Sequence, residues 1–200
     1  ASIGSTNSYA SELFAGGNFD DGTVVWAHEQ FAGRGQHDHV WSSESGKNLT
    51  ITVCLKPGFL PPEKQFQLNK AVTLGILDFL NEVITSPSRV TRHASRIKWP
   101  NDLYIDDKKI GGILIENRIM GTKLAVSFVG IGLNINQVHF PPEVPAPVSL
   151  IHILDHEVDL KDALNKLYGL LDHRYQALRR GEVQALDLAY VQNLKGVEEW

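Results

Sequence analysis

The first chemical signal of this chain lies in residues 98–116, where charged and amide side chains are concentrated. The residues that carry it are Lys98, Asn101, Asp102, Lys108 and Lys109. A carboxylate such as that of Asp102 can bind a divalent metal, and an ammonium such as that of Lys109 can neutralise phosphate charge. The pair predicts a site for a phosphate-bearing substrate. A surface hairpin with solvated charges is the alternative, because turn residues are commonly polar.

A glycine-containing segment, residues 30–48, is the second signal because it breaks every periodicity of the chain. Gly33 and Gly35 flank Arg34, so backbone N–H groups can approach a ligand closely while the guanidinium supplies charge. A loop of this length commonly binds something or moves. It is not a nucleotide P-loop, because the Gly-Lys-Ser/Thr ending is absent.

The elements that must position these residues are mostly β-strands. Residues 103–105 and 110–115 are predicted to form a hairpin, with Asp106 and Asp107 in its turn. Apolar alternation and β-branched residues predict further strands at 23–29, 48–55, 97–99 and 123–129. A Gly-x-Gly step directly follows the last of these strands, which is a weak sign of close backbone approach to a ligand.

Helices are predicted from amphipathic spacing. The two long helices and one shorter helix cover residues 63–84, 160–178 and 182–194. Ser5, Thr6 or Asn7 can cap a further short helix near the N-terminus. Hairpins interrupted by one long helix indicate the α+β class, with a mixed, mostly antiparallel sheet and helices packed on one face.

Composition narrows the class of protein. With 42% hydrophobic and 21% charged residues, a chain of 200 residues can form one domain with a substantial core. A net charge of −4 without a basic tail or helix argues against nucleic-acid binding. Cys54, the single cysteine, lies in an apolar run and is interpreted as a core residue. Since no apolar run approaches the roughly 18 residues that span a bilayer, we expect a cytoplasmic protein without membrane contact.

Taken together, these segments resemble the catalytic domain of biotin protein ligases, the biotin–[acetyl-CoA-carboxylase] ligase family. The likeness runs from about Ser5 to Asn136, with the motifs in the family's order and spacing. These motifs are Ser5-Thr6-Asn7, residues 30–41, residues 46–49, residues 98–102, residues 109–116 and residues 130–134. The resemblance implies the class II synthetase-like fold of biotin and lipoate ligases. It assigns residues 1–195 to the catalytic domain.

The resemblance also implies a two-step reaction. Biotin and ATP first give biotinyl-5′-AMP and pyrophosphate, with Mg²⁺ as the metal. A lysine of a biotin carboxyl carrier domain then takes the biotinyl group. The family's N-terminal DNA-binding domain has no counterpart in this sequence, so a monofunctional ligase that does not bind DNA is expected. The family's small C-terminal β-barrel is expected to be absent or truncated after residue 195, and a homodimer is compatible with the resemblance.

Three groups of site residues follow from the resemblance. The residues implied to bind biotin are Ser5, Thr6, Asn7, Gln30, Gly33, Arg34, Gly35, Trp41, Lys109 and Gly112. The residues implied to bind ATP are Lys98, Asn101, Asp102, Gly130, Gly132 and Asn134, and Asp102 would also hold the metal. Lys109 is implied to be the main charge stabiliser at the reacting carboxylate and α-phosphate, with Arg34 facing the same anions.

The chain departs from the family in the loop after Gly35. Gln36, His37, Asp38 and His39 stand where many members carry arginines. Fewer cations predict a weaker hold on biotinyl-5′-AMP and its faster release. Two other functions remain open, a biotin-binding domain without efficient turnover and a lipoate or octanoate ligase of the same fold. Octanoyl transferases need no ATP, so the predicted nucleotide-side residues count against them.

Overall fold

The computed structural model describes residues 2–16, 18–36, 39–85 and 93–196, so His37 and Asp38 lie outside the described residues. The strands in this part of the chain are β1 Ser2–Ile3, β2 Thr23–Ala27, β3 Glu29–Gln30, β4 Leu49–Leu55, β5 Ser95–Lys98, β6 Asp102–Ile105, β7 Lys108–Met120 and β8 Lys123–Leu133. The helices are α1 Thr6–Leu13, α2 Gln65–Ile84, α3 Leu150–Leu154, α4 Leu160–Arg179 and α5 Val183–Gln192, with a 3₁₀ turn at Pro62–Lys64 before α2.

Six of the strands form one antiparallel sheet in the order β2-β4-β8-β7-β6-β5. Strands β1 and β3 form a separate parallel pair beside it. The chain at residues 193–195 extends the β5 edge, because the Ile97 amide donates to the Asn193 carbonyl and the Lys195 amide donates to the Ile97 carbonyl. The predicted α+β class with a mostly antiparallel sheet is confirmed by this topology.

One face of the sheet carries the main hydrophobic core. Successive strand residues point to opposite faces, and the residues on this face are branched and apolar, as Ile51, Ile113, Ile131 and Leu133 show. Helices α2 and α4 cover them, and helix α5 packs against α2. Each of these four side chains is at most 2% exposed, so the core face is closed to solvent.

The opposite face of the sheet holds a smaller hydrophobic core with a helix of its own. The prediction had placed the helices on one face. Helix α1 packs there, with Ala10 against Cys54, Val126 and Phe128. Cys54 is fully buried, which confirms its interpretation as a core residue. Because α1 is only 8 residues long, it covers part of this face and leaves the remainder uncovered by helix.

Several boundaries differ from those expected. The predicted strand 23–29 is divided at His28 into β2 and β3, because β3 leaves the main sheet to pair with β1. Strand β8 continues to Leu133, so Gly130 and Gly132 lie inside a strand and not after it. Glycine has a low strand propensity, which explains why the end of β8 was predicted too early.

Ser5 occupies the cap position of α1, as the sequence allowed, but its side chain makes no capping hydrogen bond.

No helix in the described part of the chain combines the length and the apolar character that crossing a bilayer requires.

Candidate active site

A row of paired residues crosses the partly covered face of the sheet. From β2 to β5 the register pairs neighbouring strands through Ala27, Thr50, Gly132, Gly112, Asp102 and Lys98. The two central positions are glycines, so no side chain rises from the middle of the row. The row therefore places an open floor at its centre, with a carboxylate and an ammonium at one end.

Trp41 lies on this floor. A Cβ atom added to Gly132 would come within 2.3 Å of Trp41 Cε2, and one added to Gly112 would lie 3.8 Å from Trp41 Cζ3. The Trp41 amide donates to the Gly33 carbonyl at 3.0 Å, which ties the indole-bearing residue to the Gly-Arg-Gly loop. The indole Nε1 is buried without a partner in the described structure. Gly132 therefore provides the seat for Trp41.

Lys109 and Asp102 form an ion pair at the charged end of the floor. The Lys109 Nζ lies 2.7 Å from Asp102 Oδ1, and the two side chains are 27% and 25% exposed. A register shift between Leu103 and Tyr104 accompanies this pairing of β6 with β7. The Lys109 amide donates to the Ala146 carbonyl, so the backbone that carries the lysine is held from a second side. Both charged side chains line the cavity and are partly exposed.

The amide side chains near this end are engaged with the backbone. Asn101 Nδ2 donates to the Ile113 carbonyl at 2.8 Å, and Asn134 Nδ2 donates to the Val148 carbonyl at 3.1 Å. Both residues line the cavity, and these bonds fix the connections around it. Lys98 is exposed, and its Nζ lies 5.6 Å from the centre of the Tyr104 ring.

The opposite end of the cavity is built by the start of α1 and by Gln30. Ser5, Thr6 and Asn7 are all buried, and the Thr6 amide donates to Gln30 Oε1 at 2.6 Å. Asn7 Oδ1 lies 2.6 Å from where a Cβ on Gly130 would stand. Gly130 therefore seats Asn7 as Gly132 seats Trp41. This end presents neutral donors and acceptors.

The Gly-Arg-Gly loop forms a side wall between the two ends. Arg34 pairs with Val40 through an isolated antiparallel bridge, and its Nη2 lies 2.8 Å from Glu116 Oε2. A Cβ on Gly33 would meet the Trp41 carbonyl at 2.3 Å, and a Cβ on Gly35 would meet the His39 carbonyl at 3.1 Å. Gly33 is therefore required by the tight path of the loop, whereas a side chain at position 35 would need the His39 carbonyl to shift slightly.

These parts enclose one cavity of about 650 Å³. The sequence-predicted residues that line it are Ser5, Thr6, Asn7, Gln30, Arg34, Gly35, Trp41, Lys98, Asn101, Asp102, Lys109, Gly112, Gly130, Gly132 and Asn134. Gly33 is the exception, since it lines an adjoining pocket together with Arg34, Gly35 and Glu116. The structure thus brings residues from distant parts of the chain to a single site.

Some lining or supporting residues had no role in the sequence prediction. Glu116 binds Arg34, Thr52 binds Asn7, and Phe140 and Tyr104 line the cavity. The period-2 alternation of β7 puts Glu116 on the same face as Gly112. That alternation is the signal by which Glu116 could have been found. Phe140 lies in an irregular connection, where periodicity gives no direction.

The acidic residues of the described ranges do not form a metal site by themselves. In the described ranges, no group of three or more His, Cys, Asp or Glu side chains could hold a metal ion. Asp102 offers a single carboxylate at the charged end, with one oxygen already paired to Lys109. Protein-bound Mg²⁺ commonly uses one or two carboxylates plus substrate phosphates and waters. Asp102 therefore fits an ion that arrives with a nucleotide.

Comparison with solved structures defines the class of fold. The biotin protein ligase from Aquifex aeolicus in complex with biotin and ATP has a TM-score of 0.80 and 25% identity, and the match covers 96% of this chain and 75% of that chain. The biotin protein ligase from Leishmania major in complex with biotin, with a TM-score of 0.78 and 24% identity, covers 98% of this chain and 80% of that chain. The fold is that of the biotin protein ligase structures.

Sequence comparison gives the family. The model of the Biotin/lipoate A/B protein ligase family matches residues 1–136, and the chain belongs to this family. The bifunctional ligase/repressor BirA of Bacillus subtilis is 30% identical over 177 residues, which is 87% of this chain and 52% of that protein. The biotin–[acetyl-CoA-carboxylase] ligase of Mycobacterium tuberculosis is 32% identical over 154 residues, or 76% and 54% of the two chains. The chain spans about half the length of these relatives.

Proposed function

We propose that this chain is the catalytic part of an ATP-dependent biotin protein ligase. The observation that carries the proposal is the glycine floor of Gly112 and Gly132, with the Lys109–Asp102 pair beyond it. Because the floor has no side chains of its own, the Trp41 ring lies directly on Gly132 and leaves the rest of the cavity to an extended intermediate. The Aquifex aeolicus ligase, a neighbour at 25% identity, was solved with biotin and ATP, which supports the same two substrates here.

The two ends of the cavity suit the two ends of biotinyl-5′-AMP. The ureido head of biotin is neutral and both donates and accepts hydrogen bonds, which matches the Ser5, Thr6 and Gln30 end. The carboxylate and the phosphates are anionic, which matches the Lys109 end. We assign Arg34 and Trp41 to the wall and cover of the biotin site, and Lys98, Asn101 and Asn134 to the nucleotide side. The two glycines of β8, which the sequence prediction gave to the nucleotide, pack against Asn7 and Trp41 and are assigned to the biotin side.

In the first step a biotin carboxylate oxygen bonds to the α-phosphorus of ATP, and the bond to the β-phosphate oxygen breaks. The products are biotinyl-5′-AMP and pyrophosphate. Two anions must approach each other, so fixed positive charge lowers the barrier more than any proton transfer would. Lys109 supplies that charge at the reacting carboxylate and α-phosphate. Mg²⁺, when held by Asp102 and the phosphates, would offset the charge of the leaving pyrophosphate.

In the second step a deprotonated lysine amine of the acceptor attacks the biotinyl carbonyl carbon. An amide bond forms as the bond between the carbonyl carbon and the phosphate oxygen breaks; AMP leaves with that bonding pair, and the amine nitrogen gives up one proton to solvent. The proposed acceptor is a biotin carboxyl carrier domain. Trp99 and Pro100 line the cavity and Trp99 is exposed, so we place the approach of such a domain at these residues. Cytoplasmic location and homodimer formation stay predictions.

Transfer of labelled biotin tests the proposal. Purified chain, labelled biotin, ATP and Mg²⁺ are incubated with a biotin carboxyl carrier domain, and label on the acceptor is measured with ATP omitted as the control. We expect ATP-dependent labelling. Biotin binding without adenylation or transfer would instead support a binding domain. Thermal stabilisation by lipoate but not by biotin would identify lipoate and not biotin as the substrate, because a selective ligand raises apparent stability by mass action.

A further inference from the structure

We propose that Glu116 is a positioning residue that fixes the Gly-Arg-Gly loop to the start of α1 and so closes one side of the biotin end. This inference rests on the proposed function. Its structural part, the attachment of the loop, can be measured without any substrate. Glu116 lies in the middle of β7, on the face that carries Gly112.

One carboxylate oxygen joins three elements. Glu116 Oε2 accepts from Arg34 Nη2 at 2.8 Å and from Asn7 Nδ2 at 2.8 Å. Arg34 belongs to the loop, Asn7 to α1, and Glu116 itself to the sheet. A single side chain therefore links the loop to the helix at Arg34, in addition to the β1–β3 pairing and the Thr6–Gln30 hydrogen bond that hold the start of the loop.

Asn7 has one orientation only, which fixes the carboxylate. Its Oδ1 accepts from Thr52 Oγ1 at 2.6 Å, and its Nδ2 also donates to the Leu114 carbonyl at 3.2 Å. Asn7 is 2% exposed and is packed against Gly130. Because the amide nitrogen must face Glu116, the carboxylate is held where Arg34 can reach it.

The exposure of the pair indicates that its effect is on the site and not on global stability. The Arg34 and Glu116 side chains are 46% and 39% exposed. Ion pairs at such positions contribute only about 0 to 1 kcal/mol to folding. Arg34 nevertheless lies between Gly33 and Gly35. The backbone of these two glycines runs close to Trp41 and His39, which leaves the loop little room for another path. Loss of Glu116 should therefore loosen the loop while the domain stays folded.

The Arg180–Glu182 pair provides a matched control. Its Nε–Oε1 distance is 2.6 Å and its side chains are 56% and 47% exposed, so it resembles the Arg34–Glu116 pair in kind. It lies after α4, and neither residue lines the cavity. Glu182→Gln removes a comparable ion pair away from the site. Any effect seen in Glu116→Gln but not in Glu182→Gln is therefore due to the location of Glu116 beside the loop, and not to the loss of an ion pair as such.

Hydrogen exchange of the substrate-free protein is the first measurement. The Gly35 amide donates to the His39 carbonyl and the Trp41 amide donates to the Gly33 carbonyl, so both report the closed loop. Glu116→Gln should speed exchange of these amides about threefold to tenfold, whereas Glu182→Gln should leave them unchanged. Unchanged exchange in Glu116→Gln would overturn the proposal, whether or not the chain is a ligase.

Steady-state kinetics is the second measurement. Glu116→Gln should raise the KM for biotin about tenfold, as expected for a lost charge-assisted hydrogen bond, with a smaller change in kcat. Arg34→Gln and the double variant complete a cycle, and the effects should be less than additive because the two residues act as one unit. Additive effects would contradict the proposed coupling. An inactive wild-type protein would instead refute the proposed function.

Discussion

The two faces of the central sheet are made by alternate residues of the same strands, yet they have opposite properties. Along β8, Val129, Ile131 and Leu133 enter the main core, whereas Gly130 and Gly132 lie between them on the other face. At these positions the first face is filled by side chains, and the second has none of its own. A cavity therefore arises where one face of a strand carries glycine.

The second face is itself divided. Under α1 it carries Cys54 and Phe128, which pack with Ala10 in a small closed core. Burial raises the pKa of the Cys54 thiol to about 11, so the thiol stays protonated at neutral pH. Further along β8, Gly132 faces the cavity. Side-chain volume, and not strand geometry, separates the closed half from the open half.

Lys109→Ala should give the largest loss of activity, and it changes a residue of the open face alone. Loss of one preorganised charge at a reacting anion commonly lowers the rate about 100-fold to 1000-fold. Single-turnover formation of biotinyl-5′-AMP measures the loss. Stability should change by only about 1 kcal/mol, because the side chain is partly exposed.

Lys108→Ala is the matched control for that variant. Lys108 adjoins Lys109 at the start of β7 and is exposed, so its removal should leave adenylation unchanged. Adenylation at the wild-type rate in Lys109→Ala would refute the assigned role of Lys109 and remove the distinction between these neighbours.

Ile131→Ala tests the closed face. Ile131 is 2% exposed within the main core, and such a truncation commonly costs about 2 to 5 kcal/mol of unfolding free energy. Denaturant unfolding measures that loss. The affinity of the folded protein for biotin should stay close to that of the wild type. A stability loss below about 1 kcal/mol would show that the two faces differ less than their packing indicates.

Gly132→Ala, one residue further along β8, should have the reverse pattern. The new methyl group would stand 2.3 Å from the Trp41 ring, so the indole must leave its seat. Overpacking costs about 1 to 3 kcal/mol. Because the proposed site needs the indole in its seat when ligand is bound, returning it there costs a similar free energy on binding, which corresponds to a loss of biotin or ATP affinity of about fivefold to 150-fold. Stability should fall less than in Ile131→Ala, because Trp41 can move towards the cavity.

Titration calorimetry measures the affinities of the Gly132→Ala and Gly58→Ala variants for biotin and ATP, and the second variant is the control. A Cβ on Gly58 would meet nothing within 4 Å, so its substitution should leave affinity unchanged. If Gly132→Ala bound both ligands as tightly as the wild type, Trp41 would not depend on the glycine floor.

Sequence patterns predicted the hairpin that carries Asp102 and Lys109, because turn residues and alternating apolar residues act locally. They did not predict that Gly130 and Gly132 continue β8, since glycine has a low strand propensity and its neighbour here is Trp41, from a loop far away in sequence. The Glu116–Asn7 contact was also missed, because it joins residues 109 positions apart. Contacts of this kind depend on the packing of α1 on the sheet.

Gln36→Arg tests the loop side of the open face and should give the smallest effect. Gln36 lines the cavity and belongs to the loop for which the sequence resemblance implies arginines. A cation there can pair with the phosphate of the intermediate, and a partly exposed pair is worth about 0 to 1 kcal/mol. Release of biotinyl-5′-AMP should therefore slow about twofold to fivefold. Stopped-flow displacement of the intermediate by excess biotin and ATP measures the rate, with Gln36→Leu as the uncharged control. Equal release rates in the three proteins would show that the seated Trp41 and the Glu116-anchored loop, and not the charge of the loop, retain the intermediate.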